Sequence, residues 1–367
     1  MNHYPNCNPF FNPGADSHAS APQAGAPLID LREYGNPPAL AQGVLGRVTA
    51  AFRDRVKVIT AYGPCQAQLR GSALFRAETV PVTGDWVQLD YLAGGQGRIA
   101  AVLPRRTMLS RPDPAYGGQR EQVVAANFDY AFLLSSLNHD FNLRRLERYL
   151  TAAWQSGATP VVLLTKADLG EAADARRQAE AAAIGAAVHV ISARTGQGLD
   201  ALEAYLRPGM TAVFLGSSGV GKSSLVNALA GGEWMATGAI REDDSRGRHT
   251  TTHRQLLRLP SGALVIDTPG MRALGMWDVT EGLDESFADV AALAERCRFR
   301  NCTHRSEPGC AVRAALAEGS LPQGRWDSYC KLRQEAAYAD APEAYLRRKT
   351  EKNKQIAQFN RKRKTNR

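Results

Sequence analysis

Eight consecutive residues, Gly216-Ser217-Ser218-Gly219-Val220-Gly221-Lys222-Ser223, have the types and spacing to hold a chain of phosphates. Glycines let backbone N–H groups turn inward around anionic oxygens, the lysine bridges the β- and γ-phosphates, and the serine hydroxyl can ligate Mg²⁺. A Gly-rich turn can arise by chance. Here, however, it follows an apolar run, Val213 to Leu215, and precedes a helical pattern, the strand-to-helix setting this loop needs. The expected phosphate contacts run on to Ser224, and Lys222 is also expected to act on the transferred group. A second tetrad, Asp267-Thr268-Pro269-Gly270, ends another apolar run, Leu264 to Ile266. Asp267 is expected to hold Mg²⁺ through water and the Gly270 N–H to meet the γ-phosphate. Asp, Pro and Gly also make ordinary turns, so this tetrad takes its meaning from following a phosphate loop.

Base recognition is expected from Thr165-Lys166-Ala167-Asp168. A carboxylate at Asp168 can accept from guanine N1–H and the exocyclic amine, a pair adenine cannot offer. Lys166 would lie along base and ribose. Ser192-Ala193-Arg194, after the strand-like Val188 to Ile191, would present the Ala193 N–H to guanine O6. The base-reading tetrad precedes the phosphate loop in this chain, whereas ordinary GTPases have them in the opposite order. Complete parts in rotated order mean a circular permutation, with new termini beside the switch segments.

Between the phosphate loop and Asp267 lies a polar, aperiodic stretch, Arg241 to Gln255, expected to be the first switch. One of Thr250, Thr251 and Thr252 should reach metal and γ-phosphate; Thr251 is favoured. Met271 stands after the second tetrad, where familiar small GTPases carry a water-orienting glutamine, so slow intrinsic hydrolysis is expected. His249 is a candidate to orient water, with an uninvolved surface histidine as the alternative.

Cys297, Cys302, His304 and Cys310 fall within fourteen residues. Three thiolates and an imidazole form a closed tetrahedral set suited to one structural Zn²⁺, with disulfides or unrelated buried cysteines as the alternatives.

The elements that must position these groups are an alternation of apolar runs and helical patterns between about 127 and 206, then strand–loop–helix and a further strand, which together make a parallel sheet wrapped by helices. Upstream, five short alternating runs between Val44 and Leu103 suggest a small closed barrel of the oligonucleotide-binding kind, or another small β-barrel. Arg47, Arg53, Arg55, Lys57 and Arg70, with Phe52, Tyr62 and Phe75, are materials for backbone contacts and base stacking there.

The expected division of the 367 residues is a disordered leader at 1–40, the barrel at 41–106, the permuted GTPase domain at 107–276, a mainly helical zinc-binding subdomain at 277–346 and a basic tail at 347–367. The tail holds ten Lys or Arg against Glu351, a surplus equal to the formal +9 of the whole chain. So local a cluster favours a polyanion, nucleic acid ahead of a membrane. With no long apolar run and no signal pattern, a cytoplasmic protein is expected.

The barrel, the permuted motifs and a Cys-x4-Cys-x-His-x5-Cys knuckle, covering about residues 44 to 350, resemble the small ribosomal subunit biogenesis GTPase family of bacteria. The resemblance implies a late-acting factor that binds the small subunit and its rRNA, hydrolyses GTP slowly alone and faster on that subunit, and leaves after hydrolysis. It implies GTP with Mg²⁺ (Ser223, Thr251, Asp267), His249 as the water-positioning residue, and a monomer without a membrane. Thr165 departs from the Asn more usual in the family. Two other functions stay open on the residues: an RNA-binding scaffold using GTP only as a conformational latch, and a P-loop ATPase or kinase.

Overall fold

The structure is a computed structural model that describes residues 28–52, 54–69, 80–92, 96–113, 120–138, 141–170, 172–235, 254–267 and 280–340. The alternating runs form strands β1 (Val44–Ala51), β2 (Val56–Thr60), β3 (Gly63–Leu69), β4 (Trp86–Leu92) and β5 (Gln96–Val102). They close in the order β1-β2-β3-β5-β4-β1, with β3 and β5 parallel and every other pairing antiparallel. Inward positions such as Val48, Val58, Cys65, Val87, Leu89 and Ile99 fill the interior, which is why the apolar residues alternate.

Residues 28–40, expected to belong to the disordered leader, are instead seated on the folded body. Asp30 caps a short 3-10 turn, Leu31–Tyr34, and the Tyr34 ring is buried. The Ile29 N–H bonds Ala61 O at 2.8 Å, and Glu33 pairs with Arg258 at 2.8 Å. A hairpin of β6 (Met108–Pro112) and β7 (Glu121–Ala126), not anticipated from the sequence, follows the barrel.

The second sheet is built from β8 (Tyr130–Ser136), β9 (Thr159–Thr165), β10 (Ala187–Val190), β11 (Thr211–Leu215), β12 (Gln255–Arg258) and β13 (Leu264–Asp267). Its order is β10-β9-β8-β11-β13-β12, parallel except for β12. β8, β9 and β11 are buried along almost their whole length, because helices cover both faces. Alternate residues of β11 enter different cores: Val213 and Leu215 one, Ala212 and Phe214 the other. From β8 the chain winds outward to β10, returns to β11 and continues to the other side. That reversal between β8 and β11 is where such sheets open a ligand crevice.

Helices α1 (Leu143–Gln155), α2 (Ala173–Ala182) and α3 (Lys222–Ala230) belong to this domain. Leu146 and Leu150 of α1 are buried, as their spacing anticipates. Beyond it, α4 (Thr280–Ser286), α5 (Ala288–Glu295), α6 (Ala311–Glu318) and α7 (Gln323–Asp340) share a separate core around Phe287, Val290, Val312, Leu321 and Leu332. No helix among the described residues is long and apolar enough to cross a membrane.

The domains are joined by specific chemistry. β1 of the barrel pairs with β12 at Ala50 and Gln255, so eleven strands run as one sheet. Gly84, with φ of +92°, lets the barrel close onto the hairpin: an added Cβ would lie 2.1 Å from Ala126 O. Arg47 is fully buried here and donates to Tyr34 O, to Asn127 O at 2.6 Å and to Thr211 Oγ1 at 3.2 Å. This corrects its expected nucleic-acid role, since a side chain sealed between domains cannot touch RNA. Arg55, Lys57 and Tyr62 are exposed on the barrel, whereas Arg53, Arg70 and Phe75 lie outside the described residues.

Candidate functional site

β9, the end of β10 and the β11–α3 turn converge at the sheet reversal, and their loops enclose one cavity of about 250 Å³. Thr165, Lys166, Asp168, Leu169, Ile191, Ala193, Arg194, Gly221, Ser224 and Leu225 line it. Residues far apart in sequence, from the base-reading tetrad, the Ser192–Arg194 turn and the phosphate loop, therefore face one space.

Thr165 shows how the halves are tied. Its hydroxyl, buried, donates to Val220 O in the phosphate loop at 2.6 Å. Thr165 thereby supplies a donor that anchors the loop, a function an asparagine amide could also serve. Lys166 takes a left-handed conformation (φ 62°), which turns the chain into a 3-10 helix over Ala167–Leu169. Ala167 N–H then bonds Ile191 O at 3.1 Å, fixing the tetrad to the end of β10.

Asp168 is oriented by its neighbours. Ser192 Oγ donates to its Oδ1 at 2.6 Å, and Arg194 pairs with its Oδ2 at 2.8 Å. The Ser192 hydroxyl above all, with Arg194 adding to it, holds the Asp168 carboxyl below the usual carboxylate range. It is thus kept ionised and acceptor-only, the form that reads the two guanine donors. Arg194 lies in the sequence motif but its contact with Asp168 was not foreseen; Leu169, Ile191 and Leu225 are further lining residues that carry no sequence signal of their own.

In the phosphate loop Gly221 has φ of +106° and immediately precedes α3, whose N-terminal N–H groups point toward the loop. Ser217 and Val220 are buried and Ser218 and Gly219 exposed, with Gly216 covered at the end of β11. Lys222 Nζ folds back to donate to Gly216 O at 2.7 Å and Ser217 O at 2.8 Å. Burial lowers its pKa against the pull of Asp267. Asp267 is buried at the end of β13. Ser223, half-buried in the first turn of α3, and Asp267 are hard oxygen donors of the kind Mg²⁺ takes. His249, Thr251 and Gly270 lie outside the described residues, as does most of the first switch.

The second cluster lies between α5 and α6. The ligand atoms of Cys297, Cys302, His304 and Cys310 all lie within 4.8 Å of one another. His304 Nδ1 is 3.5 Å from both Cys297 Sγ and Cys310 Sγ, and these two sulfurs are 3.9 Å apart. Zn–S and Zn–N bonds of about 2.3 and 2.0 Å at tetrahedral angles require edges of about 3.8 Å between sulfurs and about 3.5 Å from sulfur to nitrogen. The edges among Cys297, His304 and Cys310 match that ion, and Cys302 Sγ lies within 4.8 Å of the other three. His304 is itself positioned by a left-handed backbone (φ 58°) and by the edge of Trp326, 5.6 Å between centroids. The C-terminal helical unit rests on α1 through Arg325, which pairs with Glu147 at 3.0 Å and with Asp289 at 2.6 Å, and through Gly282 N–H to Gln155 Oε1 at 2.8 Å.

Comparison with known proteins agrees with this assembly. The family model described as RsgA GTPase matches residues 102–277. Small ribosomal subunit biogenesis GTPase RsgA 2 of Listeria monocytogenes is 49% identical over 296 residues, covering 80% of this chain and 84% of that protein. Small ribosomal subunit biogenesis GTPase RsgA of Streptomyces coelicolor is 46% identical over 304 residues, with 81% and 82% covered. Among solved structures, YjeQ from Thermotoga maritima superposes with a TM-score of 0.59 at 27% identity, covering 80% of this chain and 98% of that one. YloQ, described as a circularly permuted GTPase, gives 0.56 at 26% identity, with 81% and 96% covered.

Proposed function

Because the chain belongs to the RsgA GTPase family, we propose that it is a GTP hydrolase that binds the small ribosomal subunit and its rRNA in the cytoplasm, acts late in subunit maturation as a monomer, and leaves after hydrolysis. One observation carries the nucleotide half of this: the base-reading tetrad and the phosphate loop, reversed in sequence, line one cavity and are tied by the Thr165–Val220 hydrogen bond. Asp168 reads guanine, Ala193 N–H meets O6, and Lys166 lies along the base. Gly216 to Ser224 wrap the phosphates. Lys222 exchanges its two carbonyl partners for β- and γ-phosphate oxygens, a swap of neutral acceptors for charged ones that favours the bound state. Mg²⁺, which neutralises developing charge on the phosphates, is held by Ser223, Asp267 and Thr251, with Gly270 N–H at the γ-phosphate and His249 orienting water. Cys297, Cys302, His304 and Cys310 hold one Zn²⁺ in a structural role. The exposed Arg55, Lys57 and Tyr62, with the basic 347–367 stretch, supply contacts to rRNA.

The test is steady-state GTP turnover of the purified chain with and without small subunits. Slow turnover alone, raised at least about tenfold by subunits and lost in Lys222→Ala, is expected. Turnover indifferent to subunits would remove the ribosomal half of the proposal, leaving a latch or an unrelated hydrolase. Asp168→Asn should shift preference from guanine toward xanthine nucleotides; an unchanged preference would remove the base-reading assignment.

A further inference from the structure

Guanine is read through two donors, N1–H and the exocyclic amine, so it needs both oxygens of the Asp168 carboxylate. Each oxygen has a donor within the protein, and the two donors stand on different sides. Ser192 Oγ, 2.6 Å from Oδ1, belongs to a fully buried residue that does not line the cavity. It grips the carboxylate from behind. Arg194, 2.8 Å from Oδ2, has a side chain 72% exposed against 11% for Asp168, and both residues line the cavity. Its guanidinium therefore meets Oδ2 from the side on which a base must arrive.

The two contenders for that oxygen are chemically alike. The N1–C2–N2 edge of guanine is itself a guanidine fragment with two N–H donors, and the arginine presents the same planar fork with a positive charge. The turn that carries Arg194 is fixed without this contact. Gly196 N–H bonds Ser192 O and Ser192 N–H bonds Gln197 O, both at 2.9 Å. Gly198, with φ of +69°, passes so close to β10 that an added Cβ would lie 2.4 Å from Val190 O. The Ala193 N–H thus keeps its place when only the Arg194 side chain swings aside. An exposed ion pair shifts an equilibrium by no more than about fivefold, so this one handicaps guanine without excluding it.

We propose that Arg194 is a specificity-determining residue of the base site, an internal competitor that guanine must displace from Asp168 Oδ2. This rests on the reading of Asp168 as the guanine-reading carboxylate. Hypoxanthine, with N1–H alone, uses one oxygen and leaves the arginine on the other. Arg194 thereby narrows the margin by which guanine nucleotides are preferred over hypoxanthine nucleotides.

The experiment measures equilibrium affinities of the full chain for guanosine and inosine diphosphates, in wild type, Arg194→Ala and Arg194→Lys, at about 50 and 500 mM KCl. The readout is the ratio of the two affinities, from which any general effect of removing a positive charge near an anionic ligand cancels. Arg194→Ala should raise the guanosine-over-inosine ratio about two- to fivefold at low salt. That gain should shrink at high salt, where the wild-type pair is screened. Arg194→Lys, which can still pair with Oδ2, should fall between. An unchanged ratio would overturn the proposal; so would a lower one, which would make Arg194 a support that holds the carboxylate for the base. Guanosine and xanthosine diphosphate affinities of Asp168→Asn separate the two levels of failure. A shift toward xanthine with no Arg194 effect removes this inference alone, whereas no shift removes the base-reading assignment and this inference with it.

Discussion

At the barrel joint and at the metal-subdomain joint the GTPase domain is held by an arginine, but the two are neutralised in opposite ways. Arg47 is surrounded by neutral oxygens, Tyr34 O, Asn127 O and Thr211 Oγ1, with the Trp86 ring at 5.2 Å. Burial pushes its pKa down to about 10. Arg325 is largely covered, yet although burial works to lower its pKa, Asp289 and Glu147 carry it above the ordinary value. It also lies over Phe287 at 4.6 Å. One joint therefore holds its arginine by hydrogen-bonding dipoles, with Asp129 and Asp85 acting on it through their field rather than by an ion pair, and the other by direct ion pairs. The barrel joint further has strand pairing, whereas the second rests on side-chain contacts to a small separate core.

Stripping the metal should separate the joints most sharply. With a strong chelator, amide exchange across Ala311–Glu318 is expected to approach the unprotected rate, while β1 and β12 keep their protection, because metal-binding energy in so small a core is folding energy. Full protection of α6 after the metal is removed would show that the four ligands are not structural. One zinc per chain by elemental analysis is the matching expectation.

Next in size are the arginines. Arg325→Met strands the buried Glu147 carboxylate and should cost about 3–5 kcal/mol of unfolding free energy. Arg47→Met leaves only orphaned carbonyls and should cost about 1–3 kcal/mol. Equal losses in urea unfolding would erase the distinction drawn between the joints, and adding Glu147→Gln to Arg325→Met should restore much of the loss.

The smallest effect is in pH. Burial raises the pKa of Glu147 against hydrogen bonding from Ser328 and the field of Arg325. A carboxyl whose folded pKa exceeds its unfolded one contributes stability fully below the unfolded value and loses that contribution as pH rises through the folded value. Glu147→Gln should therefore remove a decline in stability on the alkaline side of the ordinary carboxylate range. A stability–pH curve identical to wild type would deny Glu147 that role.

Much of the candidate site was readable in sequence because its signals are local. Gly219 and Gly221 take positive φ in a turn where glycine spacing announces it, and the four metal ligands sit in one short loop. The GTPase strands read as unbroken apolar runs because both faces are covered. What was missed depends on long-range contact. An arginine in an alternating strand looks the same whether it meets RNA or, like Arg47, a tyrosine carbonyl thirteen residues upstream. Residues 28–40 have a leader's composition, yet Tyr34 is seated against Ile59, Leu256 and their neighbours. The β6–β7 hairpin escaped because the apolar residues of each strand, Met108-Leu109 and Val123 to Ala126, are confined to one end and show no period-two alternation.

The pairing of Ala50 with Gln255 has one more consequence. Taken alone, the six-stranded sheet would expose β12 as a bare border, a row of unpaired N–H and C=O groups able to recruit another chain. Both borders are four residues long, β12 and β10 alike, but only β12 is met by the barrel. The barrel is thus also a lid on self-association: a truncated protein starting at the hairpin would keep its nucleotide loops but lose its guard against aggregation.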